Sequence, residues 1–158
     1  MNCDQKEILA RLKAEHPALC KLIPQVEEAF ALLKSAYDAG GKVMICGNGG
    51  SAADSEHIVG ELMKGFLKKR PIKGAQRAAL DALDGLPAGF ADKLQGVLPA
   101  IALPCHTSLT SAYSNDVAAD MIFAQQVFGY GKPGDVLIAL STSGNSKNVV
   151  NAVWAAKA

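Results

Sequence analysis

The chain has 158 residues, 49% of them hydrophobic and 20% charged, which fits a single globular domain with a sizeable core. No apolar run approaches the roughly 20 residues that a membrane-spanning helix needs, and a net charge of +1 argues neither for nor against a nucleic-acid partner. The four scattered cysteines form no C-x-x-C pair and the charged N-terminus shows no secretory signal, so we expect a cytoplasmic protein.

The first 40 residues predict two helices. A short apolar stripe around Ile8 indicates the first, which should stop before Pro17. The second has apolar residues at three- and four-residue steps, begins near Pro24 and ends at Gly40. Residues 1–40 are therefore expected to form an N-terminal helical part of the domain.

Short apolar runs and helical patterns alternate through the rest of the chain. Helices are predicted at 51–67 and from Lys147, and helical pieces within 107–131 that stop at Gly129 and Gly131. Such alternation predicts buried parallel strands in an α/β layer fold. The three runs that predict strands are "KVMIC" (42–46), "PAIAL" (99–103) and "DVLIAL" (135–140).

Two polar loops follow two of these predicted strands. "GNGGS" (47–51) follows the first strand and "STSGNS" (141–146) follows the third, and a predicted helix comes after each. A turn into a helix presents free backbone N–H groups and the positive helix end, which favour an anion. Ser, Thr, Asn and Gly are also ordinary turn and N-cap residues. Two such loops at one sheet edge nevertheless favour a phosphate site.

A dinucleotide is the alternative ligand for the first loop. Gly47, Gly49 and Ala52 formally fit the G-x-G-x-x-G/A pattern. That use also requires a second strand with an acidic residue about 20 positions further on. The chain has basic "FLKKRPIKG" (66–74) there, which could serve a 2′-phosphate but is not an evident strand. We therefore favour the phosphate interpretation.

The helix after the first loop carries a possible reactive pair. His57 and Glu61 are four residues apart and share one helix face with Asp54. They could ligate a metal together, or Glu61 could act as a base. Pairs of this kind are also common on exposed helices, so the spacing alone leaves both interpretations open.

Three motifs together carry a family resemblance. "CGNGGSAADSEHIVGEL" (46–62), "SND" (114–116) and "STSGNSKNVV" (141–150) resemble the phosphoheptose isomerases of the SIS sugar-isomerase fold family. The resemblance covers most of residues 20–158. It implies one SIS domain over 1–158, folded as a three-layer α/β/α sandwich with a parallel, flavodoxin-like sheet. It also implies a homotetramer with shared active sites.

The same resemblance implies roles for individual residues. Glu61 matches the catalytic carboxylate, and His57 with Glu61 matches half of a zinc site. Two further groups match substrate-binding positions. The group at the sugar is Asn48, Gly49, Gly50, Ser51, Asn115 and Asp116, and the group at the phosphate is Ser141, Thr142, Ser143 and Ser146.

The activity implied is aldose–ketose isomerisation of a phosphosugar. The expected reaction converts sedoheptulose 7-phosphate to D-glycero-D-manno-heptose 7-phosphate, a step of heptose biosynthesis, by proton transfer through an enediolate. Two alternatives stay open. One is a non-catalytic SIS module that binds phosphosugars and has a regulatory role, and the other is an isomerase of a different phosphosugar.

The chain departs from the family pattern in two places. Residues 73–98 are an insertion of roughly 25 residues relative to the short form, predicted as two short helices broken around Gly85–Pro87. This insertion could be a surface excursion, a lid or a subunit contact. The family also continues beyond position 158 with a strand and a helix that supply a glutamine and a histidine to zinc and substrate. The C-terminal elements are therefore expected to be missing from this sequence.

A basic run precedes and enters the insertion. It has no acidic residue between its members, and we expect most of them to form a solvated face. An alternative is attraction of an anionic substrate or of nucleic acid. A single phenylalanine among six charges is no stacking platform, so no nucleic-acid partner is expected. The run consists of Lys64, Lys68, Lys69, Arg70, Lys73 and Arg77.

Overall fold

The computed structural model describes residues 3–158, with side chains described from residue 5 onward. Its helices are α1 (Cys3–Glu15), α2 (Ile23–Asp38), α3 (Gly50–Met63), α4 (Gly74–Asp81), α5 (Phe90–Lys93), α6 (Thr107–Tyr113), α7 (Ile122–Tyr130) and α8 (Lys147–Lys157). Its strands are β1 (Val43–Cys46), β2 (Ala100–Ala102) and β3 (Val136–Ala139). Short 3₁₀ turns lie at Pro17–Leu22, Leu103–Cys105 and Ala119–Met121, and a π-helical turn at Ser114–Ala118.

The three strands form one parallel sheet in the order β2-β1-β3. Val43 pairs with Ala100 on one side and with Val136 on the other, which places β1 at the centre. The chain therefore crosses from β1 to β2 on one side and later returns to the opposite side of β1. The strand order reverses between β1 and β3, and ligands collect at the carboxyl ends of the strands at such a point in open α/β sheets.

Helices cover both faces of the central strand. All four residues of β1 are buried, as expected for a continuous apolar run in a parallel sheet. Met44 and Cys46 belong to a cluster that includes side chains of α7 and α8. Because alternate side chains of a strand point to opposite faces, Val43 and Ile45 face the other layer. Helix α3 contacts β1 and β2, and α2 contacts β3. The sandwich prediction is thus confirmed, and all three strand predictions are confirmed within one or two residues.

Two predicted helix stops, near residue 67 and at Gly129, are wrong. Helix α3 ends at Met63 instead of near residue 67, because the chain turns tightly at Gly65. A Cβ atom on Gly65 would lie 2.3 Å from a backbone carbonyl oxygen, so a larger residue does not fit there. Helix α7 passes through Gly129 and ends at Tyr130 with Gly131 as its C-cap, so the predicted stop at Gly131 is confirmed. The cost of a helical glycine is about 1 kcal/mol, and the packing of α7 on α8 outweighs it.

The predicted insertion contains two short helices, α4 and α5, as expected. Arg77 of α4 joins them, because its guanidinium binds Asp81 on its own helix and Asp92 on α5. Leu83 between the two helices is 56% exposed, so the segment buries its leucines only in part. In residues 3–158, no helix is long and apolar enough to cross a membrane.

Candidate functional site

The first loop turns sharply between β1 and α3. Gly49 has φ +54° and ψ −120°, a conformation that side chains disfavour. A Cβ atom on Gly47 would lie 2.6 Å from the Cβ of Ser51, so glycine is required there as well. The N–H of Ser51 donates to the Asn48 carbonyl at 3.0 Å, and the buried Ser55 hydroxyl donates to the Ser51 carbonyl at 2.7 Å. These bonds fix the first turn of α3 against the end of β1.

The thiol that precedes this loop is part of the core. Cys46 is fully buried, and burial raises the pKa of its thiol to about 11. A thiol held neutral at physiological pH is a poor nucleophile. Cys46 therefore supports the loop by packing and is not a candidate nucleophile.

The second loop brings three serine hydroxyls together at the start of α8. The Ser141 Oγ lies 3.4 Å from the Ser143 Oγ and 3.2 Å from the Ser146 Oγ. Ser146 is the N-cap residue of α8, but its side chain makes no capping hydrogen bond. Gly144, with φ +68°, allows the turn. Since the hydroxyls converge instead of capping the helix, they and the helix end can face one anion.

An amide pair, Asn48 with Asn148, connects the two loops. The Nδ2 of Asn48 donates to the Oδ1 of Asn148 at 2.9 Å, and the Nδ2 of Asn148 donates to the Oδ1 of Asn48 at 2.8 Å. The Asn148 Oδ1 also accepts the Val149 N–H at 3.0 Å. The pair fixes the first loop beside the second at the carboxyl edge of β1 and β3. The contact of Asn148 is not predicted from the sequence, although the residue lies within the motif "STSGNSKNVV".

His57 and Glu61 lie on one face of α3, as predicted. The His57 Nε2 is 3.7 Å from the Glu61 Oε1, and their side chains are 78% and 49% exposed. The imidazole and the carboxylate are both zinc ligands by type, and their spacing suits a shared ion. Within the part of the chain that the structure describes, no group of three or more His, Cys, Asp or Glu side chains could hold a metal. The pair alone would thus give two of the three or four protein ligands that a zinc site needs.

Asn115 and Asp116 lie in the π-helical turn that follows α6. The Asn115 Nδ2 donates to the Asp116 Oδ1 at 2.7 Å, and this pair is exposed. Single π-helical turns are frequent at functional sites, which is compatible with the predicted role. Among residues 5–158, no hydrogen bond joins either side chain to the two loops, so the placement of this pair at the site stays a prediction.

The chain matches a family model for the SIS domain over residues 18–97 and 74–158. The chain therefore belongs to the SIS domain family, and its fold is the SIS fold. Among its relatives are the phosphoheptose isomerases of Rhodospirillum rubrum, 42% identical over 134 residues, and Thiobacillus denitrificans, 41% identical over 137 residues.

These relatives differ from the chain in length. The alignments cover 85% and 87% of this chain but only 58% and 57% of the two relatives. A solved structure of the phosphoheptose isomerase GmhA from Neisseria gonorrhoeae superposes with a TM-score of 0.67 at 32% identity, over 97% of this chain and 68% of that one. A phosphoheptose isomerase from Francisella tularensis gives a TM-score of 0.67 at 26% identity, over 99% and 71%. The predicted family and fold are thus confirmed.

Proposed function

We propose that this chain catalyses aldose–ketose isomerisation of a phosphosugar, with sedoheptulose 7-phosphate as the substrate and D-glycero-D-manno-heptose 7-phosphate as the product. The observation that carries the proposal is the placement of the two loops. They meet where the strand order reverses between β1 and β3, and the Asn48–Asn148 amide pair joins them. The similarity to proteins named phosphoheptose isomerase supports this choice of substrate.

The second loop is proposed to bind the phosphate. The Ser141 hydroxyl lies within 3.4 Å of the hydroxyls of Ser143 and Ser146, and the three adjoin the N-terminus of α8. Thr142 is exposed beside them. Hydroxyl donors and a helix N-terminus favour a phosphate without introducing a competing cation. Binding energy from the phosphate end would orient the reacting end of the sugar.

The first loop and α3 are proposed to bind and convert the carbonyl end. Asn48, Gly49, Gly50 and Ser51 would contact the sugar. The Glu61 carboxylate would take a proton from C1 of the ketose while the C2 oxygen gains one, and the C1 hydroxyl would lose its proton as the aldehyde forms. Returning the first proton to C2 completes the isomerisation, and the two protons exchanged at oxygen balance. Asn115 and Asp116 are proposed as further sugar contacts.

Zinc is proposed to bind at His57 and Glu61. An ion there would polarise the sugar oxygens and favour the enediolate. The two side chains fit the donor types and one helix face, and at least one further ligand is needed to complete the set. Because a carboxylate bound to zinc is a weaker base, the ligand role and the base role of Glu61 compete.

The test is isomerisation of sedoheptulose 7-phosphate by the full chain, followed by NMR with and without added zinc. The Glu61→Gln variant should lose at least roughly 100-fold in kcat, since proton transfer by a positioned group contributes that much or more. Glu56→Gln is the matched control, because Glu56 is an exposed carboxylate on the same helix. Equal rates for the Glu61→Gln variant and the wild type would refute the assigned role.

A non-catalytic phosphosugar-binding module is the second candidate function. The observation that favours it is the two-ligand His57–Glu61 pair, with both side chains widely exposed. Such a module would bind the phosphosugar but not convert it, and its affinity would be unchanged by Glu61→Gln. An isomerase of another phosphosugar would instead show turnover with a sugar of different chain length.

Self-association is also proposed, with the homotetramer as the assembled form. Its support is the apolar surface of the N-terminal helices, where Ile8 is 64%, Leu32 59% and Phe30 41% exposed. A groove of about 170 Å³ lies between α1 and α2 beside Ile8 and Phe30. Light scattering would measure the assembly directly. The cytoplasm is the proposed location, in keeping with free thiols at Cys20, Cys46 and Cys105.

A further inference from the structure

The end of α3 lies close to the proposed catalytic carboxylate. The helix ends at Met63, only two residues after Glu61. The last carbonyl groups of a helix have no partner within the helix and need donors from elsewhere. The Lys64 N–H binds the Gly60 carbonyl at 3.0 Å, and the next two carbonyls, those of Glu61 and Leu62, depend on donors outside the helix.

Arg70 supplies most of those donors. Its Nη2 donates to the Leu62 carbonyl at 2.6 Å and to the Glu61 carbonyl at 3.3 Å. The Leu98 N–H adds a second bond to the Leu62 carbonyl at 3.0 Å. Arg70 is half-buried, in contrast to the exposed Lys69 beside it. The backbone carbonyl of the proposed base, Glu61, thus accepts a hydrogen bond directly from the Arg70 guanidinium.

The same guanidinium also binds the far end of the predicted insertion. The Nε of Arg70 donates to the Gly96 carbonyl at 2.9 Å, and the Gly96 N–H donates to the Arg70 carbonyl at 2.5 Å. Pro71 and Gln95 form an antiparallel bridge next to this contact. The Gln95 side chain accepts the Gly65 N–H at 3.1 Å, just beyond α3. The two ends of the 73–98 segment therefore meet at Arg70, against the end of α3.

We propose that Arg70 is a positioning residue for Glu61 and that it couples the 73–98 segment to the site. This inference rests on the proposed function, in which Glu61 moves the proton. A planar guanidinium can donate in several directions at fixed angles, and a lysine ammonium cannot reproduce that fork. Without Arg70 the last turn of α3 loses two hydrogen bonds and its link to Gly96. The backbone that carries the Glu61 side chain is then no longer held in place, and its carboxylate can shift. A displacement of about 1 Å at a reacting group can cost on the order of 100-fold in rate.

The kinetic test compares Arg70→Ala and Arg70→Lys with Lys69→Ala and Glu61→Gln. Both Arg70 variants should lower kcat by roughly 10- to 100-fold while KM and the affinity for the phosphosugar change less than about twofold, since the phosphate loop is untouched. Lys69→Ala should match the wild type. A kcat within twofold of wild type in both Arg70 variants would overturn the proposal, and so would equal losses in kcat and phosphosugar affinity.

Hydrogen–deuterium exchange gives a readout that needs no activity. In the Arg70 variants the amides of residues 62–65 should exchange roughly 10-fold faster, while those of 52–57, at the other end of α3, keep the wild-type rate. Unchanged exchange at 62–65 would overturn the proposal even if the enzyme were active.

If the wild type shows no isomerisation, the proposed function fails and the catalytic half of this proposal fails with it. Exchange then still decides whether Arg70 holds the helix end. If Arg70→Ala does not fold, Arg70→Lys carries both measurements.

Discussion

The two edges of the sheet are joined in different ways. At the amino edge, Asp135 before β3 binds the Lys42 ammonium before β1, and its carboxylate also accepts the N–H groups of Lys42 at 2.9 Å and Lys132 at 2.8 Å. At the carboxyl edge, the neutral Asn48–Asn148 amide pair joins the loops after the same two strands. The Asp135 side chain is 6% exposed, whereas Asn48 is exposed to solvent.

This difference separates a structural edge from the edge that is proposed to bind the substrate. At the amino edge the Asp135 and Lys42 charges are paired, and one carboxylate satisfies three donors. At the carboxyl edge, among the described residues, the hydroxyls of Ser141, Ser143 and Ser146 bind one another or a neighbouring amide, and the N-cap residue Ser146 makes no side-chain capping bond to α8. Unused donors that would be costly in a core are available to a ligand. The comparison implies that changes at the carboxyl edge alter binding, while changes at the amino edge alter stability.

The largest expected effect is that of Ser141→Ala, which should weaken phosphosugar binding. Ser141 is the hydroxyl that lies within 3.4 Å of both neighbouring serines. A hydrogen bond to a charged group contributes about 1.5–3 kcal/mol, so phosphosugar affinity should fall roughly 10- to 100-fold. Titration calorimetry measures the affinity, and the free energy of unfolding should change by less than about 0.5 kcal/mol. Ser111→Ala, at an exposed helical serine, is the matched control and should change neither. Undiminished affinity in Ser141→Ala would contradict the phosphate assignment.

The next largest expected effect is that of Asp135→Asn, which should lower the folding stability. The change removes the charge that pairs with Lys42 and leaves a half-buried cation. The free energy of unfolding should fall by about 2 kcal/mol, measured by urea denaturation, with phosphosugar affinity unchanged. Asp38→Asn breaks the exposed pair with Lys34 and should cost under about 1 kcal/mol. If Asp135→Asn weakened binding but not folding, the two edges would not be distinct in function.

The sequence predicts the strands and both loops of the carboxyl edge because these depend on local pattern. Continuous apolar runs identify β1 and β3, and the glycines and hydroxyl residues after them identify the turns. The spacing of His57 and Glu61 also places them correctly on one helix face. Each of these features lies within a window of a few residues, where helix and strand periodicity is informative.

Contacts between distant parts of the chain could not be predicted in this way. The basic run predicts a solvated face that includes Arg70, but Arg70 is bonded to Gly96, 26 residues away. Asn148 is hydrogen-bonded to Asn48, which lies 100 positions earlier in the sequence. Nothing in the residues around either asparagine indicates that the two side chains meet. The roles of Arg70 and Asn148 depend on which loops the fold brings together. The sequence also could not show that α3 stops at Met63, since that depends on the close turn at Gly65.

A smaller effect is expected from Asn148→Ala, which removes the amide pair. Two neutral hydrogen bonds at a partly exposed position contribute about 1 kcal/mol in total, so phosphosugar affinity should fall roughly fivefold. Asn151→Ala is the matched control, because Asn151 lies on the same helix and its side chain donates to the Asp120 carbonyl, outside both loops. A cycle with Asn48→Ala should show a coupling energy of about 1 kcal/mol. Strictly additive effects would show that the pair does not join the loops energetically.

The smallest expected effect is the change with pH in the stability that the Asp135 carboxylate contributes at the amino edge. Burial by itself would raise the pKa of Asp135, but its hydrogen bonds from Lys42 and Lys132, together with the Lys42 charge, hold the pKa below its usual value. A carboxyl whose pKa is lower in the folded state stabilises the protein above its unfolded pKa of about 3.9, and this stabilisation is lost as the pH falls through the folded pKa. The stability gap between wild type and Asp135→Asn should therefore be constant from about pH 7 to about pH 5 and narrow below about pH 4. Urea midpoints across this range measure the gap, and a gap that stayed constant down to about pH 2.5 would mean that the carboxylate charge is not what holds this edge together.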